Sequence, residues 1–257
     1  MPFALITGAS KGIGKAIAAI LADRGYDLLL VARSADLLEK TASEIQSVTK
    51  RNCWYLALDL AGDQAAETLF EWCSKNQFDV SVLVNNAGYG LSGKFEKYSA
   101  QEHADMLHVN MISLTKLTRL FLPELLKQPA GYILNIGSSA SYQAVPLLSA
   151  YAASKAYVLS FSRGLYQELK RSGVSVTCVC PGPTDTNFVN RANIGVKGLK
   201  AAERFNMTPQ AVAHIAIESL FSRKPEVITG GMNKLSAFFA WLLPKSLVEN
   251  VAKKLYD

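Results

Sequence analysis

The stretch YAASK sets Tyr151 and Lys155 four residues apart. On a helix that spacing puts both side chains on one face. A lysine beside a phenol favours the phenolate and pulls down a pKa that starts near ~10. Such a tyrosine can give or take a proton near neutral pH, the task of a general acid or base at a reacting oxygen. Ten tyrosines in 257 residues make a chance match unsurprising, and a second copy stands at Tyr166 and Lys170. Position separates the two. Tyr166 lies 15 residues farther along what reads as the same helix, roughly 22 Å away at ~1.5 Å per residue. Upstream of the first copy, LNIGSS places Ser138 just past a strand-like run, where a hydroxyl can hold a substrate oxygen beside the phenol; the matching position before Tyr166 is Ala153. Tyr151 and Lys155 are therefore the candidates for chemistry, and Tyr166 with Lys170 reads as a solvated helix face.

The second constellation is TGASKGIG, whose glycines Gly8, Gly12 and Gly14 follow the order G-x-x-x-G-x-G. The dinucleotide fingerprint is G-x-G-x-x-G between a strand and a helix. Here FALIT precedes the glycines and the helical GKAIAAILADRG follows, so bare backbone N–H groups and a helix N-terminus can still face a pyrophosphate. An acid about 20 residues on selects NAD at this kind of site, and an arginine selects NADP. Strand two ends LLLVARS, which brings Arg33 to that position with no acid before Asp36, and Lys11 lies inside the glycine loop. Singly, either cation could be an ordinary exposed charge. Together they would pair with the extra phosphate of NADP.

These residues need a scaffold that delivers them to one edge. Strand-like runs (FALIT, DLLLVA, CWYLALDL, VSVLVN, GYILNIG, VSVTCVC and a short VIT) alternate with helical patterns, among them a long helix near residues 101–127, one near 150–171 and one near 208–222. Continuous apolar strands separated by amphipathic helices mean a parallel sheet covered on both faces. The expected fold class is α/β: a single-domain, doubly wound parallel sheet in a Rossmann-like three-layer α/β/α sandwich over residues 1–257. Gly25, Gly131 and Gly173 mark helix-to-strand junctions, where a left-handed residue is easily accommodated. Ligands of such sheets bind outside the carboxyl ends of the strands. The functional residues should therefore follow FALIT, VNNAG, LNIGSS and VCPGPT.

Composition narrows the setting. Apolar residues make up 49% and charged residues 19% of the chain, as in soluble globular proteins. No stretch approaches the ~18 unbroken apolar residues of a membrane span. MPFALITGAS has no basic leader and runs straight into the glycine motif, so a cytoplasmic protein is expected. Cys53, Cys73, Cys178 and Cys180 suggest neither a zinc site nor a disulfide framework and read as buried thiols. Of the net charge of +6, residues 187–257 supply +5, with 10 Lys and Arg against 5 Asp and Glu. Any attraction to acidic substrates, carriers or membrane surface should come from that quarter.

Taken in order, TGASKGIG, NNAG (Asn85 to Gly88), Ser138, YAASK and PGPTDT resemble the short-chain dehydrogenase/reductase family over residues 3 to about 190. The resemblance implies that Tyr151 is the acid/base, that Ser138 orients the carbonyl or hydroxyl, and that Lys155 binds the nicotinamide ribose and tunes Tyr151. Asn110, in LHVNMIS, would be the fourth member and hold a water in a proton relay. It further implies NADP (NADPH) contacts from Gly8, Ser10, Lys11, Gly12, Ile13 and Gly14, from Arg33, and from Asp59 and Leu60 near the adenine. Asn86, Ala87 and Gly88 would surround the ribose, and Tyr151, Lys155, Pro181, Gly182, Thr184 and Thr186 would meet the nicotinamide end. Two departures stand out: Thr184 sits where Val or Ile is commoner, and Gly137 replaces the first serine of the usual pair. The expected reaction is reduction of a ketone or other carbonyl, with an apolar or acyl-type substrate. Oxidation of a steroid- or sugar-like secondary alcohol is the alternative. A dinucleotide sensor without turnover would have no need of all four catalytic positions. The expected partners are a small-molecule carbonyl substrate and a second or fourth copy of the chain as homodimer or homotetramer, with no nucleic acid and no metal.

Two segments depart from these motifs. Residues 187–206 stand where a substrate loop is expected; Phe188, Val189, Ile194, Val196 and Leu199 could line an apolar pocket, and Arg191, Lys197, Lys200 and Arg204 hint at an acidic group on the substrate or its carrier. Residues 232–257 form an amphipathic extension with a stripe at Leu235, Phe238, Phe239 and Leu242, continued by Leu247, Val251 and Leu255 after Pro244. Cover over the cleft, a subunit contact, a weak membrane-surface anchor and a mobile tail all suit that stripe.

Overall fold

The computed structural model describes residues 2–184 and 206–256. Seven strands, β1 (Phe3–Thr7), β2 (Asp27–Ala32), β3 (Cys53–Ala57), β4 (Val80–Asn85), β5 (Gly131–Ile136), β6 (Val174–Cys180) and β7 (Glu226–Ile228), form one parallel sheet in the order β3-β2-β1-β4-β5-β6-β7. The helices are α1 (Gly12–Asp23), α2 (Ala35–Thr49), α3 (Ala65–Lys75), α4 (Ala100–Leu107), α5 (Leu114–Lys127), α6 (Ser149–Leu169), α7 (Pro209–Phe221), α8 (Gly231–Leu242) and α9 (Lys245–Tyr256). The architecture is the doubly wound, three-layer sandwich that the alternation of runs implies.

The continuous apolar strands have a direct cause. In β1, Ala4 and Ile6 pack into one core and Leu5 into the other; in β2, Leu28 and Leu30 alternate with Leu29 and Val31. The first core is closed by α1, α2 and α7, the second by α3, α5 and the end of α6. Both faces of every central strand are thus removed from water, and neither can carry polar residues cheaply. Some polar side chains are buried within the strands all the same, Ser175 and Thr177 in β6 and Ser81 in β4, and a hydrogen-bonded group of them sits at the carboxyl ends. Buried Asn85 donates to Asn135 Oδ1 (2.9 Å) and Thr118 Oγ1 (3.1 Å), and Asn135 donates to Ser162 Oγ (2.9 Å), lashing β4, β5, α5 and α6 together just beneath the site.

Three expectations need correction. The long helix near 101–127 is interrupted by a π-helical turn over His108–Ser113, a wider turn of the kind found at functional sites, and Asn110 sits in it. Of the three junction glycines only Gly25 is left-handed (φ +93°). Gly131 is small for another reason: a Cβ there would come within 2.6 Å of the Leu125 carbonyl oxygen. Tyr166 is partly buried against the second core rather than fully solvated, whereas Lys170 is exposed. All four cysteines are buried. No described helix is long and apolar enough to cross a membrane.

Candidate active site

A cavity of about 590 Å³ runs along the carboxyl edge of the sheet. Its lining follows the strand order: Arg33 after β2; Gly8, Ser10, Lys11, Gly12 and Ile13 after β1; Asn86, Ala87 and Gly88 after β4; Ser138 after β5; Pro181, Gly182 and Thr184 after β6. Asp59 and Leu60 join it after β3, and Tyr151 and Lys155 from the N-terminal part of α6. The candidates spread over 177 positions thus meet in one cleft. Gly14 and Asn110 stand behind the lining, and Tyr166 and Lys170 take no part in it. Thr186 and the loop residues Phe188, Val189, Arg191, Ile194, Val196, Lys197, Leu199, Lys200 and Arg204 lie outside the described residues.

The glycine loop is built to leave backbone donors bare. Gly8 and Gly12 have φ of +66° and +59°, the left-handed region in which a Cβ is strained. Lys11 caps α1 with extended backbone; no side chain caps that helix and no acid lies in its first turn. Its first N–H groups therefore keep the partial positive charge of a helix N-terminus. Gly14 is small because a Cβ would collide with the Gly8 carbonyl oxygen and Asn86 Nδ2. Asn86 occupies that gap, donating to the carbonyls of Thr7 (2.9 Å) and Gly8 (3.1 Å), while Thr7 Oγ1 accepts from the amides of Asn86 (3.0 Å) and Ala87 (3.1 Å). The two loops interlock, and a pyrophosphate fits the cradle they leave. Lys11 and Arg33 are exposed beside it, and no acid stands between Asp27 at the start of β2 and Asp36.

At the other end the side chains are withdrawn from water. Ser138, Tyr151 and Lys155 are only 9%, 8% and 5% exposed. Lys155 Nζ donates to the Ile136 carbonyl (2.7 Å) and lies 5.9 Å from the centre of the Tyr151 ring. Burial brings the Lys155 pKa down to about 8, partly opposed by the thiols of Cys178 and Cys180. Ser138 Oγ accepts from the Ala140 amide (3.1 Å), which starts a short 3₁₀ turn over Ser139–Tyr142. Within that turn Ser141 ties the segments of Ser138 and Lys155 together: its Oγ accepts from the Ser138 amide (3.2 Å) and donates to the Lys155 carbonyl (2.8 Å).

Asn110 acts as a clamp. Its Oδ1 accepts from the Tyr89 amide (3.1 Å), and its Nδ2 donates to the Tyr89 carbonyl (3.0 Å) and to Ser154 Oγ (3.0 Å), which in turn donates to the Tyr151 carbonyl (2.7 Å). Gly88 leaves room for this, since a Cβ would sit 2.9 Å from Asn110 Oδ1. Ser141, Ser154, Tyr89 and Asn233 were not singled out by sequence. Serines inside motifs give no signal of which hydrogen bond they make, and Asn233 lies in the extension, where only the apolar stripe was legible.

The extension covers the cleft, but with the face opposite to the one its stripe suggests. Met232, Asn233, Ser236, Ala237 and Ala240 of α8 and Ala252 of α9 line the cavity. The stripe residues Leu235, Phe238, Phe239, Leu242, Leu247 and Val251 are exposed. Asn233 Nδ2 donates to the Thr229 carbonyl (2.7 Å), and its amide fills the space a Cβ at Gly182 would need. With Val109, Val145 and Leu148 from the body of the protein, these helices give the far half of the cavity a largely apolar wall in which Asn233 and Ser236 are polar; among the cavity's described lining residues the cations are Lys11, Arg33 and Lys155 and the acids are Asp59 and Asp105.

The short chain dehydrogenase family profile matches residues 2–196. The chain is 29% identical over 251 residues to the ketoacyl reductase HetN of Nostoc sp., covering 95% of this chain and 85% of that one. It is 35% identical over 223 residues to the very-long-chain 3-oxoacyl-CoA reductase of Anas platyrhynchos, covering 77% and 70%. Among solved structures, a short-chain dehydrogenase from Sphingobium yanoikuyae in complex with NADPH superposes with a TM-score of 0.83 at 30% identity, covering 94% of each chain.

Proposed function

The chain belongs to the short chain dehydrogenase family, and from that premise we propose that it is an NADPH-dependent reductase of an apolar, acyl-type ketone, yielding the secondary alcohol. The observation that carries this reading is the meeting of Ser138, Tyr151 and Lys155 with the uncapped α1 N-terminus, Lys11 and Arg33 on the wall of one cavity. When bound, the nicotinamide supplies a hydride to the carbonyl carbon. The chain's own residues do the rest. Ser138 Oγ donates a hydrogen bond that holds the carbonyl oxygen. Tyr151 gives its phenolic proton to that oxygen as charge develops there. The Lys155 ammonium, fixed on the Ile136 carbonyl, stabilises the phenolate left behind. Asn110 serves as a positioning residue, because its amide is committed to Tyr89 and Ser154. Lys11 and Arg33 meet the 2′-phosphate that distinguishes NADPH.

The apolar far half of the cavity supports an apolar substrate, and two similar proteins are named as reductases of ketoacyl or 3-oxoacyl compounds. The test is a carbonyl panel, including 3-oxoacyl thioesters of several chain lengths, assayed with NADPH and with NADH by loss of reduced-cofactor absorbance. Turnover of long apolar ketones with NADPH preferred is the expected outcome. Equal use of NADH, or preference for compact polar ketones, would overturn the corresponding half of the reading.

A further inference from the structure

The last two helices are mounted against their own apolar pattern. A helix on a protein surface ordinarily buries its bulky apolar stripe. Here α8 and α9 bury alanines, Ala240 and Ala252, at 2% exposure, while Leu235, Phe238, Trp241 and Leu242 of α8 and Leu247 and Val251 of α9 are 47–74% exposed. Singly exposed apolar residues are normal, but six on one hairpin make a patch of the kind that marks an interaction surface.

The charges on that surface identify its partner. Lys234, Phe238 and Trp241 follow one another at i, i+4 and i+7 on α8, and Leu247, Val251 and Lys254 do the same on α9, so each apolar face carries an exposed lysine in its own stripe. Residues 231–256 hold four lysines against the one acid Glu249. A second copy of this chain would bring cation to cation across the face. An anionic lipid surface matches both features: bulky side chains enter the boundary between headgroups and acyl chains, and lysine stems extend along it to bring their charge to the headgroups. We propose that the outer face of α8 and α9 docks the protein on anionic membrane surfaces. The inner face of the same helices, through Ala237, Ala240 and Ala252, roofs the cavity. Docking would therefore lay the apolar half of the cleft next to lipid, where an apolar ketone is dissolved; this last step rests on the proposed function, and docking itself does not.

The test sediments the full chain with vesicles of phosphatidylcholine alone or mixed with phosphatidylglycerol, at low and high salt, alongside light scattering for oligomeric state. Binding to the mixed vesicles, weakened by salt, is expected. Phe238→Ser with Trp241→Ser should weaken it about tenfold or more. Lys234→Gln and Lys254→Gln should each weaken it about fivefold. Neither pair lines the cavity, so NADPH binding and the thermal midpoint report that the variants are folded. No vesicle binding by the wild type would overturn the proposal. So would a dimer in solution that the Phe238→Ser, Trp241→Ser variant splits into monomers, since the face would then join two copies. Vesicle binding by protein that reduces no carbonyl would support docking and overturn only the proposed function.

Discussion

The ammonium of Lys155 donates to the carbonyl of Ile136 across 2.7 Å, fastening α6 to the carboxyl end of β5 with a charge that burial disfavours. The folded pKa of about 8 lies below the ordinary lysine value of 10.5. Below pH 8 both folded and unfolded chains hold the proton, and the folded chain bears the full cost of burying it. Between pH 8 and 10.5 the unfolded chain binds more protons than the folded one, so stability from this group rises with pH. The unfolding free energy of the wild type minus that of Lys155→Met should therefore grow across this window, by on the order of 3 kcal/mol in all, read from denaturant titrations at each pH. Parallel curves from pH 7 to 10 would show that the amine is not titrating there.

Tyr151→Phe removes only the hydroxyl of a side chain that is already buried. Turnover should fall by about 10²–10⁴, the usual worth of a positioned general acid, while NADPH affinity stays within about threefold, because the cradle around Gly8, Gly12 and Asn86 is untouched. Single-turnover rates and fluorescence titration separate the two quantities. A variant that keeps most of its activity would remove Tyr151 from the mechanism.

Lys11 and Arg33 are exposed, so their pairing with a phosphate is partly screened. Charge-assisted hydrogen bonds still contribute about 1.5–3 kcal/mol each. Lys11→Ala with Arg33→Ala should weaken NADPH by roughly 10²-fold or more and leave NADH within a few fold. Titrations with both cofactors decide it, and equal losses for the two would place these cations away from the 2′ position.

The central strands, the glycine loop and the pair Tyr151 and Lys155 were legible in the sequence because each is a local signal: runs such as LLLV and VSVLV record burial on two faces, and position relative to those runs sorts one YxxxK from the other. What stayed hidden was relational. Hydrophobic period does not register the one extra residue per turn at His108–Ser113, so Asn110 could be singled out only by resemblance, and the wider turn that carries it left no mark in the sequence. A stripe at i, i+3, i+4 and i+7 says that Leu235, Phe238, Phe239 and Leu242 share a face, but not which way that face is turned. Gly131 looked like a left-handed junction because closeness to the Leu125 carbonyl leaves no mark in sequence.

The departure at Gly137 has the same relational origin, and it yields the last prediction. A Cβ on this residue would lie 2.9 Å from Cys180 Sγ and 3.1 Å from Cys178 Sγ, and both thiols are fully buried on β6. The two sulfurs, 3.8 Å apart, occupy the space that a larger residue ahead of Ser138 would need. Gly137→Ala should destabilise the protein by about 1–3 kcal/mol through overpacking. It should also lower turnover, because the strand end carries the Ile136 carbonyl on one side of Gly137 and Ser138 on the other. Removing the nearer sulfur ought to make room: Cys180→Ala costs stability on its own through the cavity it leaves, yet Gly137→Ala added to it should cost much less than in the wild type. A double-mutant cycle on thermal midpoint and kcat measures this coupling. Additive effects would mean that Cys180 and Gly137 do not share the space, and that the glycine answers to some other neighbour.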